Sequence, residues 1–233
     1  GVTSVTSTAD ITAATLTVTV NDVTKTYGDT VSFAGTEFTA RGLLAGDDVA
    51  SVTLTSVGAA GTAGVGNGPY AIVASGAAGT GLGNYALTYV DGALTVAQRV
   101  LTVSGTYGVS TKIYDGTTNL TSSQVTITGV TVNGQTENLS YTGNASLNDA
   151  NVANSSNYLM TNSITLANGS SANAGVASNY VLPSQSYSAN NNATVGAALL
   201  SVYATMTYLG TNDVSQFVQL SGLKNNDTLT LNS

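Results

Sequence analysis

The sequence predicts an all-β protein made of tandem, antiparallel β-sandwich modules, immunoglobulin-like in architecture and elongated. Charged residues are only 7% of the 233 residues, whereas Val, Thr, Gly and Asn abound. Thr and Val suit pleated sheets, and Gly and Asn suit the turns between strands. No stretch shows the periodicity of a helix. Short alternating runs lie between turn residues instead, and they recur at a spacing of about ninety residues, as expected for a repeat protein.

Three anchors define the repeat. The first is a Leu-x-Val strand that leads to a Tyr, the second is a strand that turns at Gly, and the third is an Asn-Tyr pair that opens a late strand. The first lies at 16–18 with Tyr27, 101–103 with Tyr114 and 200–202 with Tyr208; the second at 38–43, 125–130 and 218–223; the third at Asn84-Tyr85 and Asn179-Tyr180. Arrays of similar modules are typical of spacers and adhesive stalks.

The anchors divide the chain into four segments. Residues 1–14 are interpreted as the tail of a preceding module and residues 15–97 as a first sandwich. Residues 98–196 are interpreted as a second sandwich, and residues 197–233 as the start of a third, incomplete module. Each of the two complete modules is long enough to bury a core of its own.

Several turns are predicted from dipeptides. Asp91-Gly92 between two alternating runs predicts a two-residue hairpin, with Tyr89 opposite Leu94 and with Leu87 and Val96 on the same buried face. Asn133-Gly134 predicts a second hairpin of this kind.

The glycine-rich stretch 57–84 predicts a loop, a strand at 70–73 and a second loop near 76–83. It lacks the strand-turn-helix context of a phosphate-binding loop. In the second module, residues 184–192 predict a longer loop where the first module has Asp-Gly.

Composition excludes several classes of function. The net charge of −7 with five Lys and Arg leaves no basic patch, so we expect no nucleic-acid partner and no binding to an anionic membrane. No apolar run is long enough for a transmembrane helix. Cys and His are absent, which excludes disulfides, the usual nucleophile–imidazole pairs, and thiolate or imidazole metal sites.

Carboxylates are the remaining candidates for chemistry. Asp47-Asp48 is the only adjacent acidic pair, and a companion for glycoside hydrolysis would come from Asp10, Asp22, Asp29 or Glu37. The pair follows Gly46 in a turn, which favours a solvated loop. Calcium is an open alternative because oxygen ligands suffice for it, although no Asp-x-Asp-x-Asp run is present. We therefore predict no enzyme activity and assign no catalytic, cofactor-binding or metal-binding residue.

Two lysines precede a Tyr at equivalent positions. Lys25 and Lys112 are expected to pair with Asp29 or Asp115, and an exposed pair of this kind contributes about 0–1 kcal/mol. Tyr114-Asp115-Gly116 predicts a turn in which Tyr114 packs on a sheet and its hydroxyl reaches a backbone group. An intramolecular crosslink from a buried Lys is a less favoured alternative.

The motifs resemble two module families of large bacterial surface proteins. The first module resembles an MBG domain at 25–29, 68–72 and 84–96, and the second resembles a YDG domain at 112–118 and 179–182. The third departs from both, because Tyr208-Leu209-Gly210 lacks the Asp and the preceding Lys. The resemblance implies a stalk or fibre region of an exported adhesin of the filamentous-haemagglutinin-like kind in Gram-negative bacteria.

The sequence thus predicts a structural segment of an extracellular adhesin at the bacterial cell surface, supporting adhesion or biofilm formation. One alternative is a carbohydrate-binding module that uses loop 57–84 or loop 184–192. Another is a subunit of a self-assembling filament or surface layer, in which a neighbouring chain completes the third module. Glycans and further copies of the chain are accordingly the expected partners, without membrane insertion.

Overall fold

The computed structural model describes residues 10–104, 112–204, 207, 210, 218–224 and 226–229. These residues form β-strands and short 3-10 turns and contain no α-helix, which confirms the all-β class. The chain divides into two compact units: unit 1 is 1–99 with 132–134, and unit 2 is 100–131 with 135–233. The finer division at residues 14, 97 and 196 remains a prediction.

Unit 1 contains two sheets. Its strands are β1 (Ala14–Val20), β2 (Val23–Thr26), β3 (Phe38–Arg41), β4 (Ser51–Thr55), β5 (Tyr70–Ala78), β6 (Tyr85–Val90) and β7 (Gly92–Ala97). The first sheet has the order β3-β1-β6 and the second has the order β2-β7-β5-β4.

Alternation of side chains builds the core of unit 1. Leu16 and Val18 on β1 are fully buried, and so are Ile72 on β5 and Leu94 on β7. Because successive side chains on a strand point to opposite faces, each sheet turns one apolar face inward. Strand β5 of the second sheet contacts β1 and β6 of the first, so the two sheets form a sandwich.

The pairing within this sandwich is mixed. Strand β1 runs antiparallel to β3 but parallel to β6, and β2 runs parallel to β7. The predicted antiparallel pairing therefore holds for β1–β3, β4–β5 and β5–β7 but not for the two parallel pairs. Parallel pairing requires a long connection, and the chain between β1 and β6 supplies one through β2 to β5.

The predicted Asp91-Gly92 hairpin is wrong. Strand β6 lies in the first sheet and β7 in the second, so Asp91 marks a crossing between sheets. Gly92 is needed for a close approach, because a Cβ there would lie 2.9 Å from the carbonyl oxygen of Asn21. The predicted faces nevertheless hold: Leu94 and Val96 are buried, and Leu87 and Tyr89 are half-buried on the inward side.

The glycine-rich stretch contains a loop, a strand and a second loop, as predicted. The strand is longer than 70–73, because β5 continues to Ala78. Short 3-10 turns lie on either side of it at 57–59, 65–67 and 82–84.

The rest of the chain contributes sixteen further strands among the described residues. They are β8 (Arg99–Val100), β9 (Thr102–Ser104), β10 (Lys112–Ile113), β11 (Asn119–Leu120), β12 (Thr126–Thr128), β13 (Thr131–Val132), β14 (Gln135–Thr136), β15 (Leu139–Thr142), β16 (Ala145–Leu147), β17 (Leu159–Met160), β18 (Thr165–Asn168), β19 (Tyr180–Val181), β20 (Asn191–Asn192), β21 (Val195–Gly196), β22 (Ser201–Ala204) and β23 (Val218–Ser221). The three-stranded sheets have the orders β12-β9-β20 and β11-β16-β17, and the pairs are β10-β21, β13-β14, β15-β18, β19-β8 and β22-β23.

Two apolar clusters form the core of unit 2. The first contains Val103, Val125, Ala145, Leu159 and Ile164, and the second contains Leu147, Ala193 and Val195. Both clusters draw on strands of several sheets, as a sandwich core does.

The predicted Asn133-Gly134 hairpin is confirmed. Asn133 has φ 51° and Gly134 has φ 76°, and these two residues connect β13 to β14. Positive φ at both central residues is the requirement of the two-residue turn that matches strand twist.

The strands of the first two anchors pair in the same register in all three copies of the repeat. The equivalent pairs are Thr17↔Arg41 in β1–β3, Thr102↔Thr128 in β9–β12 and Ser201↔Ser221 in β22–β23. The third copy keeps this ladder, but its Val202 is 63% exposed, whereas the equivalents Val18 and Val103 are buried. The predicted anchor Tyr208 lies outside the described residues.

Candidate functional site

The recurring lysines occupy equivalent buried positions. Lys25 is 6% exposed and Lys112 is 2% exposed. Lys25 pairs with Val96 in the parallel ladder β2–β7, and Lys112 pairs with Val195 in the parallel ladder β10–β21. The sequence places the two lysines at equivalent positions correctly, but the expectation that they form exposed pairs is wrong because both are buried.

Their partners differ between the modules. The Nζ atom of Lys112 lies 2.9 Å from both carboxylate oxygens of Asp115, which confirms that predicted pair. The Nζ atom of Lys25 donates instead to the carbonyl oxygens of Asp29, at 3.0 Å, and of Ala60. The predicted ion pair with the Asp29 carboxylate is wrong, because that carboxylate pairs with Arg99. Burial lowers the pKa of Lys25, and the negative charge of Asp29 opposes this only in part.

The Tyr-Asp-Gly motif forms the predicted turn. Gly116 has φ 79°, and Oδ1 of Asp115 accepts hydrogen bonds from the amide and the hydroxyl of Thr117, both at 2.9 Å. Tyr114 packs against the second core cluster of unit 2. Its hydroxyl does not reach a backbone group as predicted but lies 3.2 Å from Oδ1 of Asp227, and this hydrogen bond raises the pKa of Tyr114.

The Asn-Tyr pairs open strands β6 and β19, as predicted, each after a 3-10 turn that ends at the Asn. The hydroxyl of Tyr85 donates to Oδ2 of Asp47 at 2.7 Å, and the hydroxyl of Tyr180 donates to Oε2 of Glu137 at 2.5 Å. Both tyrosines are buried. Sequence reasoning missed these Tyr–carboxylate contacts, because the acids lie far away in sequence and differ in type.

The environment of Tyr85 contains opposing influences on its pKa. The amide of Leu44 donates to the hydroxyl at 2.8 Å and would lower the pKa. Burial and the Asp47 carboxylate outweigh that contact, so the pKa of Tyr85 lies above its ordinary value. The hydroxyl therefore stays protonated and serves as a donor to Asp47.

Asp47 and Asp48 both stabilise the loop before β6. Oδ1 of Asp48 accepts hydrogen bonds from the amide of Thr80 at 2.7 Å and from its hydroxyl at 2.6 Å, and these contacts lower the pKa of Asp48. With Asp47 bound to Tyr85, the pair fixes the geometry of residues 80–85.

Three of the four predicted companions of this acidic pair make contacts elsewhere, and the fourth, Asp10, is exposed. Asp22 accepts the amide of Ala93, Glu37 accepts the amides of residues 34–36, and Asp29 pairs with Arg99. Across the described ranges, no group of three or more acidic side chains is placed to share a metal ion. Asp22 and Glu37 thus act as turn acceptors, whereas Asp29 forms an ion pair.

The two loops considered for glycans differ in what they present. An open depression at the first is lined by Thr55, Ser56, Val57, Ala71 and Val73, none of them aromatic. In the second loop, Asn191 is buried. Its side-chain oxygen accepts a hydrogen bond from the backbone amide of Leu159, and its side-chain nitrogen donates to the carbonyl of Leu159, both at 2.9 Å. Tyr187 of the same loop is 54% exposed.

No helix among the described residues has the length and apolar character needed to cross a bilayer.

Comparison with known families assigns both modules. Residues 16–95 match the model of the MBG domain, YGX type, and residues 97–189 match the model of the YDG domain. The comparisons with curated proteins and with solved structures found no match. The chain therefore contains an MBG domain of the YGX type followed by a YDG domain.

Proposed function

We propose that this chain is a structural spacer of a bacterial surface adhesin, a stalk or fibre segment that projects a binding region away from the cell and supports adhesion or biofilm formation. MBG and YDG domains are non-enzymatic families found in surface adhesin-like proteins and typical of extracellular surface proteins. An extracellular location at the bacterial surface is part of the proposal.

The use of the recurring polar residues carries this proposal. Lys112 binds the carboxylate of Asp115 in its own turn, and Lys25 binds carbonyl oxygens of its own turn and of a loop in the same module. Tyr85 and Tyr180 bind carboxylates of their own modules. In a binding or catalytic module, we would expect recurring polar groups to converge on an open cleft. Here their hydrogen bonds fix turns and strand ends instead.

A binding screen tests the proposal. The purified chain is applied to a glycan array and to cultured epithelial cells, with an unrelated β-sandwich protein of similar net charge as the control. A spacer is expected to give no signal above the control. Saturable binding to a defined glycan would overturn the spacer proposal.

A carbohydrate-binding role is the second candidate, and exposed Tyr187 is the observation that favours it. An aromatic ring on a loop offers a face on which a sugar can stack. If glycan binding is found, Tyr187→Ala should abolish it and Tyr187→Phe should retain it. Unchanged binding by Tyr187→Ala would exclude this loop as the contact surface.

Self-assembly into a filament is the third candidate. Strand β22 pairs with β23 as β1 pairs with β3, but its opposite edge takes no parallel partner among the described residues, unlike that of β1. An open edge of this kind favours strand addition from another chain. Multi-angle light scattering at rising concentration checks this, and a constant monomer mass contradicts it.

A further inference from the structure

The two parallel strand pairs of unit 1 form one continuous ribbon. Ala14 on β1 pairs with Tyr85 on β6, 71 residues later (85 − 14 = 71). Thr26 on β2 pairs with Ala97 on β7, also 71 residues later (97 − 26 = 71). The offset is constant, so residues 14–26, the early arm, and residues 85–97, the late arm, stay in a single register. They do so while crossing together from the first sheet to the second.

Hydrogen bonds join the arms at the crossing and at the far end. At the crossing, the amide of Ala93 donates to Oδ1 of Asp22 at 2.8 Å. At the far end, the amide of Tyr27 donates to the carbonyl of Ala97 at 2.9 Å, and Nε of Arg99 donates to the carbonyl of Tyr27 at 2.8 Å. The ribbon is thus bonded beyond the last ladder pair.

The direction of the arms determines how they respond to tension. A pull along the chain draws the early arm back towards its start at Ala14 and draws the late arm forward towards its end at Ala97. Since the arms are parallel, these are opposite directions along one ribbon. The interstrand hydrogen bonds run across it. The load is therefore shared by the whole ladder, which must fail as a unit.

We propose that the MBG domain is a mechanical clamp that bears tension along the chain. The proposal depends on the spacer role for its biological purpose, whereas its physical content concerns unit 1 alone. Forced unfolding is governed by the unfolding rate. In a ladder loaded in shear, no single hydrogen bond can break before the others, because all of them carry the load together. An antiparallel pair pulled at its open end loses its bonds one after another.

The side chains oppose sliding of the arms. Leu16 and Val18 on the early arm and Leu94 and Val96 on the late arm are all buried at alternate positions. A slip by one residue would turn these side chains to the opposite face. It would also withdraw the buried Lys25 from the carbonyl oxygen of Ala60 that it binds.

The YDG domain has a less regular form of the same arrangement. Val103 pairs with Asn191 at an offset of 88 residues (191 − 103), whereas Lys112 pairs with Val195 at an offset of 83 (195 − 112). The register changes between the two ladders, and residues 182–190 interrupt the late side between β19 and β20. We therefore expect this domain to yield at lower force than the MBG domain.

Single-molecule pulling of the full chain tests the clamp. The sequence contains no Cys, so an introduced pair defines the points of attachment. Ala13→Cys with Ala97→Cys loads the arms in shear. Ala50→Cys with Ala78→Cys loads the adjoining ends of antiparallel β4 and β5, because the Ala50 amide bonds the Ala78 carbonyl at 2.8 Å.

At equal pulling speed, the whole rupture-force distribution of the first pair should shift to higher force. Residues 14–97 number 84 (97 − 14 + 1). Complete unfolding between the attachment points should therefore lengthen the tether by about 28–30 nm, at about 3.3–3.6 Å per residue, minus the distance between these points in the folded domain. Equal or lower force for the first pair, at matched thermal stability, overturns the clamp and leaves the spacer proposal standing. Binding on the glycan array would instead overturn the spacer and leave the force result intact.

Discussion

The hydroxyl of Tyr180 donates a 2.5 Å hydrogen bond to Oε2 of Glu137, and in unit 1 the hydroxyl of Tyr85 makes the corresponding contact with Asp47. Two modules of different families thus use the same device: a Tyr at the start of a late strand ties that strand to an acidic residue earlier in its module. The device is retained although Asp is exchanged for Glu.

Removal of this hydroxyl should destabilise the YDG domain. Tyr180 is 2% exposed, so Tyr180→Phe removes a short, buried hydrogen bond to the Glu137 carboxylate. Hydrogen bonds to charged groups contribute about 1.5–3 kcal/mol, and a loss in this range is expected in urea denaturation. Tyr187→Phe is the matched control because Tyr187 is 54% exposed, and it should change little. Equal losses in the two variants would contradict a role for the contact.

Two substitutions of Lys112 should separate the packing of its stem from its charge. Lys112→Ala removes the buried stem and should cost about 2–5 kcal/mol, as for other long side chains cut to Ala. Lys112→Met keeps most of the volume, and the carboxylate of Asp115 is 49% exposed and reaches water. The Met variant should therefore be clearly more stable than the Ala variant in thermal or urea denaturation. A Met variant as unstable as the Ala variant would show that the ion pair, not the packing, dominates.

The glycines that turn the second anchor should tolerate no side chain. Gly42 has φ +101°, and a Cβ there would lie 2.2 Å from the carbonyl oxygen of Thr15. Gly46 has φ +96° but has nothing within 4 Å. Gly46→Ala thus reports backbone strain alone, about 1–2 kcal/mol, and Gly42→Ala should cost clearly more because of the added clash. Chemical denaturation of the two variants gives the comparison, and equal costs would contradict the close approach.

Stability should fall in acid. Four carboxyl groups of the described residues have lowered pKa values. In three of them the chief cause is a hydrogen bond, from the Ala34 amide to Glu37, from the Thr80 hydroxyl to Asp48, and from the Asn151 amide to Asp149. In Asp115, burial would raise the pKa, but the contacts with Lys112 and Thr117 outweigh it. Each has a lower pKa in the folded state than in the unfolded state, so the unfolded state binds more protons as the pH falls. The stabilisation is complete above the ordinary values of 3.8 for Asp and 4.5 for Glu and is lost as the pH falls through the lowered values.

A series of thermal melts from pH 7 to pH 2.5 checks this. Glu37→Gln should be less stable than the unmodified chain at pH 7, and the two should converge in acid, where Glu37 is protonated. A difference that stays constant with pH would contradict a contribution from the Glu37 charge.

Local patterns predicted the modules better than they predicted strand partners. Leu16, Val18 and Tyr85 fall where the anchors place them because alternation and turn chemistry are local. Asn133-Gly134 forms its hairpin, whereas Asp91-Gly92 crosses between sheets. Asp-Gly permits a tight turn but does not require one, and the packing of β6 and β7 in different sheets decides the outcome.

The polar contacts of the candidate site depend on tertiary structure. The sequence indicated that Lys25 and Lys112 are equivalent, but their burial depends on the sheets that pack around them. The Asp29 carboxylate pairs with Arg99, which lies 70 residues away in the sequence. The pairing of Tyr180 with Glu137 spans 43 residues and leaves no periodic signal. Reasoning from one sequence therefore finds such residues, but it identifies a partner only where the partner is near in sequence, as Asp115 is to Lys112.

The interruption between β19 and β20 has a consequence for protein engineering. Residues 182–190 form the loop that connects β19 to β20 in the YDG domain. The ladder of β19 with β8 and the ladder of β20 with β9 do not include the tip of this loop. A foreign peptide grafted beside exposed Tyr187 would therefore be displayed at the module's surface while both flanking ladders stay paired. The same position offers natural variants room to acquire an epitope without rebuilding the fold.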